Sequence, residues 1–290
     1  HGAGQEPPTQ SHHRCFPLTG MVQIKEDSLL WANRLGAVWP EMEVVQLENT
    51  ASTNNWLRER RTEAARRTML VTADYQTAGR GSGTNRWESE GGKNLIFSLL
   101  VCPSALQANR MFALSEAMSL GVCMGLEQYL STLMPAAGNA FRIKWPNDVY
   151  YANGKICGML IENDLKGKQV ERSVMGVGIN VNQSRFLSDA PNPISLSIIA
   201  GQEMPRIGVL ESVLECFRSC LQMVEQGDFA ALHALYLSRV YRWHEWHQFI
   251  DQSGTFTGMI KDIQPDGHLV LTDSEGKERK YAFGEIKYII

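Results

Sequence analysis

Short runs in which apolar residues alternate with polar ones, and longer runs with the spacing of a buried helical face, divide the chain from Glu43 onward into predicted elements. "EVVQLEN" (43–49) predicts a strand, and "STNNWLRERRTEAARR" (52–67) opens with N-cap residues and continues as an amphipathic helix. "TMLVTADYQ" (68–76) and "NLIFSLLV" (94–101) predict two further strands that form the rims of a glycine-rich loop. Met111, Leu114, Met118, Val122, Leu126 and Tyr129 or Leu130 fall on one face of a long helix, where the methionines serve packing. "FRIKWPNDVYY", "KICGMLIEN" and "VERSVMGVGINVN" predict an antiparallel meander with Asn153-Gly154 as its hairpin turn. Leu210, Val213, Leu214, Phe217, Leu221 and Val224 mark another helix, and a further helical stretch runs towards Arg242. From Gly254 the chain changes to short strands separated by Pro-Asp-Gly and Ser-Glu-Gly-Lys turns, the pattern of a small barrel of roughly 45 residues.

The expected fold class is α/β in the α+β sense: a mixed, largely antiparallel sheet flanked by helices, followed by a small C-terminal β-barrel. The expected divisions are an N-terminal extension over 1–42 that is partly disordered, a main domain over 43–247 and a small domain over 248–290. With 290 residues, 43% of them hydrophobic, the chain can bury one sizeable core. A formal net charge of -3 gives no global basic field, so neither nucleic-acid binding nor a DNA-binding repressor is expected. Six cysteines are scattered without a CxxC pair and without a secretory leader upstream, which predicts reduced thiols and a cytoplasmic protein. Cys216 and Cys220, one helical turn apart, lack a second ligand pair, so packing is the preferred reading over a metal. No segment reaches the roughly 20 apolar residues of a membrane helix.

Candidate chemistry begins in the loop. Gly79, Gly81 and Gly83 let backbone come close to a ligand, and free N–H groups with Arg80 and Arg86 suit phosphate or carboxylate oxygens. The GxxxxGK[ST] spacing is missing, so this is not a P-loop. Lys144 and Lys155 flank a Trp-Pro-Asn-Asp turn, and an inward lysine is costly unless it meets an anion; two edge lysines in solvent remain the alternative. Together the lysines, Asp148 and the arginine loop point to a phosphoanhydride with Mg2+. "HEWH" (244–247) has its histidines three apart, not four, and is expected to be aromatic packing between domains. His233 and His268 have no companions in the sequence, and Trp145 is expected to be structural.

"STN" (52–54), "YQTAGRG" (75–81), "KWPND" (144–148), "GKICGMLIE" (154–162) and "GVGINVN" (176–182) resemble, in order and spacing, the motifs of biotin protein ligases. The final stretch with "FGEI" (283–286) is similar to that family's C-terminal domain. The resemblance covers Val44 to the end, and the preceding segment is too short and polar for the winged helix of family members that also repress transcription. It implies the class II aminoacyl-tRNA synthetase-like catalytic fold with an SH3-like C-terminal barrel. It also implies ATP-dependent formation of biotinyl-5'-AMP and transfer of biotin to a lysine of a biotin carboxyl carrier domain.

The implied catalytic residues are Lys155, Arg80 and Asp148: Arg80 and Lys155 on the biotin carboxylate and α-phosphate, and Asp148 orienting the carrier amine. Implied biotin contacts are Ser52, Thr53, Asn54, Gln76, Gly79, Arg80, Lys155 and Gly158. Implied ATP and adenylate contacts are Arg80, Gly81, Ser82, Arg86, Trp87, Asn147, Lys155, Met159 and Asn180. The implied cofactors are ATP and Mg2+, without a tightly bound metal, and the implied partner is a carboxylase carrier domain, with a monomer or homodimer as the ligase. The glycine loop is expected to be disordered when empty and to fold over biotin and the adenylate. Ser82 stands where many relatives have arginine or another long polar residue, so adenylate retention is expected to be weaker unless Arg86 substitutes. Two alternatives stay open: a lipoate or octanoyl-type acyl ligase, and a non-catalytic biotin or adenylate sensor.

Overall fold

Seven strands form one mixed sheet: β1 (Glu43–Thr50), β2 (Met69–Gln76), β3 (Leu95–Val101), β4 (Phe141–Lys144), β5 (Asp148–Tyr151), β6 (Gly154–Lys166) and β7 (Gln169–Ile179). In this computed structural model, which describes residues 28–60, 67–137 and 140–290, their order is β1-β2-β3-β7-β6-β5-β4. Only β1 and β2 run parallel; every other neighbouring pair is antiparallel. The expected meander is thus β4 to β7, with β4 at one edge.

β3 shows how one strand serves two layers. Every residue from Leu95 to Val101 is buried, so its near-continuous apolar run reflects cover on both faces. Leu95, Phe97, Leu99 and Val101 join the large core, which also holds α1 (Ser28–Val38), α3 (Phe112–Ser131) and α5 (Arg206–Glu225). Leu100 joins a smaller cluster with Leu47, Val71 and Leu57 of α2 (Thr53–Glu59). Ser98, on that same second face by the strand period of two, is buried among them and supplies a hydroxyl.

α3 and α5 meet backbone to backbone. An added Cβ at Gly121 would lie 2.7 Å from the Phe217 Cα, and one at Gly125 would lie 2.5 Å from the Val213 Cα. Two glycines four residues apart open this groove. Met111, expected on the buried face of α3, is its N-cap and is exposed. The helical periodicity therefore holds from Leu114 onward.

α1 falls inside the stretch expected to be a polar extension. Trp31, Leu35 and Trp39, at i, i+4 and i+8, are all buried, and Arg34 meets Glu211 of α5 at 2.5 Å. The expectation for 1–27, and the end of the predicted helix over 61–66, lie outside the described residues. After α4 (Leu196–Ala200) and α5, α6 (Phe229–Ser238) leads towards the "HEWH" stretch, where Trp243 and His244 stack at 4.4 Å as expected of aromatic packing.

The C-terminal strands are β8 (Trp246–Asp251), β9 (Gly254–Ile263), β10 (Leu269–Asp273), β11 (Glu278–Tyr281) and β12 (Lys287–Tyr288), in the antiparallel order β11-β10-β9-β8-β12. Phe249, Ile260, Ile263, Leu269 and Leu271 of this sheet belong to the same large core as the main sheet. The two sheets consequently share one apolar interface. Among the described residues no helix is long and apolar enough to cross a membrane.

Candidate active site

The second face of the sheet, the glycine loop and one turn of the C-terminal sheet enclose a cavity of about 620 Å³. Its polar end is built from α2 outward. Ser52 caps α2, accepting from the Asn55 N–H at 3.3 Å, and this places Thr53 and Asn54 in the first turn facing β3. The Thr53 N–H donates to Gln76 Oε1 at 2.8 Å, and Ser98 Oγ lies 2.7 Å from Thr53 Oγ1 and 2.5 Å from Asn54 Oδ1. Asn54 fits because β7 has glycine opposite it: a Cβ on Gly176 would lie 2.3 Å from Asn54 Oδ1.

Two cations follow. Asn54 Nδ2 donates to Glu162 Oε2 at 3.0 Å, and the same carboxylate receives Arg80 Nη2 at 3.1 Å. Arg58 approaches Glu162 from α2 at 3.4 Å, and Arg80 also donates to Asn55 Oδ1 at 2.8 Å. Lys155, on β6, lies 3.0 Å from Asp148 at the start of β5. Lys144, across the Trp145–Asp148 turn, extends over the Tyr288 ring at 4.5 Å. Burial pulls its pKa below the usual lysine value against the opposing pull of Asp148.

The glycine loop has a defined shape. Arg80 and Arg86 pair as an antiparallel bridge, the Gly81 N–H donates to Asn85 O at 2.8 Å, and Gly83 turns the chain with φ +64. Trp87 then lies against two bare strand positions: a Cβ on Gly158 would be 3.0 Å from its ring, and one on Gly178 would be 2.5 Å away. These contacts hold the loop to the sheet. Arg86 stands opposite Arg80, and Ser82 lines the cavity beside them.

Of the residues the sequence singles out, Ser52, Thr53, Asn54, Gln76, Arg80, Gly81, Ser82, Arg86, Trp87, Asn147, Asp148, Lys155, Gly158 and Met159 line this one cavity. Gly79 and Asn180 do not. Gly79 allows the loop to close, since a Cβ there would lie 3.0 Å from both Gln76 Nε2 and Trp87 O. Asn180 donates to Ile194 O at 3.1 Å, and its own N–H donates to Ile156 O at 2.9 Å, so it fixes the chain after β7.

Sequence reasoning missed Ser98, hidden in an apolar run, and Glu162, quoted only as the last letter of a motif. It also missed the cavity wall from the C-terminal sheet: Asp266, Gly267, His268 and Phe283. Trp145, buried as expected, donates its indole N–H to Gly267 O at 2.8 Å and joins the two walls. The two histidines expected to lack companions both have them. His233 lies 2.5 Å from Glu116, and His268 lies 2.9 Å from Asp266; the first pair is 117 positions apart and leaves no local signal, whereas the second is two apart within the turn.

Among the described residues no group of three or more His, Cys, Asp or Glu side chains could hold a metal ion. Cys216 and Cys220 are free thiols, and burial pushes Cys220 up to about 12.

The fold sets a polar recess beside Arg80 and Lys155, an arrangement that can hold a carboxylate against a phosphate. A family model described as the biotin/lipoate A/B protein ligase family matches residues 45–180 of the chain. The chain is similar to biotin protein ligases in sequence and in structure. It is 32% identical over 219 residues to the bifunctional ligase/repressor BirA of Bacillus subtilis, an alignment covering 73% of this chain and 64% of that protein. It is 28% identical to a biotin–[acetyl-CoA-carboxylase] ligase of Paracoccus denitrificans, covering 72% of this chain and 85% of that one. Its structure is similar to the biotin protein ligase of Aquifex aeolicus in complex with biotin and ATP, with TM-score 0.68, 25% identity, and coverage of 85% of this chain and 99% of that chain. The chain spans 64% of the length of the Bacillus relatives it matches.

Proposed function

We propose that the chain is an ATP-dependent biotin protein ligase, forming biotinyl-5'-AMP with release of pyrophosphate and passing biotin to a lysine of a carboxylase carrier domain. The observation that carries the reading is the placement of Arg80 and Lys155 on one cavity with the Thr53–Asn54–Gln76–Ser98 network. That network offers hydroxyl and amide groups to a compact neutral heterocycle, as a ureido ring requires. A dithiolane ring has no comparable donors or acceptors with which to meet this network, which argues against a lipoate-type substrate.

In the first half-reaction the biotin carboxylate attacks the α-phosphorus of ATP, and the bond to pyrophosphate breaks. Arg80 and Lys155 exchange their carboxylate partners for these oxygens and stabilise the charge that develops there. Mg2+, bound as part of the nucleotide substrate, would supply charge neutralisation of its phosphates. In the second half-reaction the carrier lysine attacks the acyl carbon and AMP leaves. The amine must be neutral to attack, and Asp148, freed from Lys155, orients it and takes up its proton. Trp87 and the loop keep water from the mixed anhydride. The unit over 43–247 holds these groups and the one over 248–290 adds a wall. The scattered free thiols are consistent with the cytoplasm.

The test is incorporation of labelled biotin into an isolated biotin carboxyl carrier domain with Mg-ATP. The Lys155→Ala variant is expected to lose at least about 100-fold in rate. Biotin binding without any incorporation by the unaltered chain would refute the ligase reading in favour of a sensor.

A further inference from the structure

α3 and α6 bury an ion pair for which the chemistry above has no use. Glu116 is 3% exposed, and its partner is His233 of α6 at 2.5 Å. A carboxylate so placed is retained only with a partner that neutralises it. His233 does this and also hydrogen-bonds the backbone of Ile263, at the end of β9. Three residues on, nearly one helical turn, Tyr236 is fully buried and its hydroxyl donates to Pro146 O at 2.7 Å. The Tyr236 ring meets Phe112 edge-on at 5.7 Å, and Phe112 fills the place that a Cβ on Gly267 would need, at 2.7 Å.

One face of α6 thus reaches both walls of the cavity: the β9–β10 turn carrying Asp266, Gly267 and His268, and the turn from Trp145 to Asp148. The opposite end of the cavity is held differently. Arg80, Asn54 and Thr53 are fixed by Glu162 of β6 and Ser98 of β3, with no hydrogen bond to α6 among those described.

We propose that Glu116, His233 and Tyr236 are positioning residues that set the gap between the two walls, and that the carrier's lysine amine enters through this gap. The inference rests on the ligase reading, which gives Asp148 to that amine. A nucleophile that must meet the acyl carbon at a fixed angle is sensitive to a wall displaced by about 1 Å. Charge stabilisation by Arg80, held at the other end by Glu162, is not.

The experiment separates the half-reactions in the full chain. Tyr236→Phe removes one hydroxyl, and Glu116→Gln keeps the side-chain shape while removing the charge. For each, biotin-dependent ATP–pyrophosphate exchange is compared with transfer from preformed biotinyl-5'-AMP to an isolated biotin carboxyl carrier domain, alongside the melting temperature. Exchange is expected to stay within about twofold of the unaltered chain. Transfer is expected to slow by about fivefold or more, in kcat, as for the loss of one net hydrogen bond. Transfer at the unaltered rate in both variants, or exchange falling in parallel with it, would overturn the inference. Absence of biotin-dependent exchange in the unaltered chain would overturn the ligase reading itself.

Discussion

Replacing Gly176 by alanine tests the polar end of the cavity. The new methyl carbon would lie 2.3 Å from Asn54 Oδ1, 2.9 Å from Cγ and 3.0 Å from Nδ2, so the whole carboxamide is in its way. Ordinary contact needs a retreat of about 1 Å, but Asn54 is buried and held on three sides. Its bonds to Ser98 at 2.5 Å, Leu160 O at 3.2 Å and Glu162 at 3.0 Å do not survive such a move. Two neutral bonds at about 1 kcal/mol each and one to a carboxylate at about 2 kcal/mol set an upper bound near 4 kcal/mol. Partial yielding of β7 brings the expected cost to about 2–4 kcal/mol, within the range of overpacked sites. The assay is guanidinium unfolding of the unaltered chain, Gly176→Ala, Asn54→Ala and the double variant. With Asn54 already truncated, Gly176→Ala should cost less than about 0.5 kcal/mol, giving a coupling of about 2 kcal/mol or more. Equal costs in both backgrounds would refute the contact, whatever their size.

Gly125→Ala sets helix propensity against packing. A gain of about 1 kcal/mol from propensity opposes the cost of a methyl 2.5 Å from the Val213 Cα, a backbone atom that cannot rotate aside. The variant should be less stable by about 1–3 kcal/mol, and a raised melting temperature would disprove the close crossing of α3 and α5. The Glu116–His233 pair predicts a pH dependence with a definite sign. His233 is raised above its ordinary value by its hydrogen bond to Glu116, and Glu116 is raised by burial against the lowering pull of His233. Each contribution is complete below that group's unfolded value and is lost as pH rises through that group's own folded value, so the loss above pH 6 belongs to His233. The melting temperature of the unaltered chain should therefore fall more between about pH 6 and pH 8 than that of Glu116→Gln. Equal slopes would show that the pair does not titrate there.

Much of the site was legible because its chemistry is local in sequence. The Ser52–Asn54 cap, the glycine loop and the Trp145–Asp148 turn are each contiguous, and each delivers its side chains to the cavity. The wall from the C-terminal sheet was not legible, because Pro-Asp-Gly at 265–267 signals only a turn and carries no information about what the turn will face. Ser98 was hidden because alternation cannot be seen in a strand covered on both faces. Glu116 carries no signal in the sequence, because its partner His233 lies 117 positions away on α6. α1 was missed for a different reason: the i, i+4, i+8 spacing of Trp31, Leu35 and Trp39 was present but followed directly on a polar opening. Gly79 and Asn180 lie in motifs of the family, yet what they do here is shape the backbone around the cavity and not line it.

Two of the four cations that line the cavity are already engaged with carboxylates, Arg80 with Glu162 and Lys155 with Asp148. An incoming anion must therefore displace tethered carboxylates that suffer no loss of translational freedom on rebinding. A lone phosphate or acetate competes poorly on those terms. A ligand whose heterocycle is held by Thr53 and Gln76 while its carboxylate contests the cations becomes tethered in turn. The resting ion pairs thus act as a filter against the small anions abundant in any cell, and admit one that brings its own anchor.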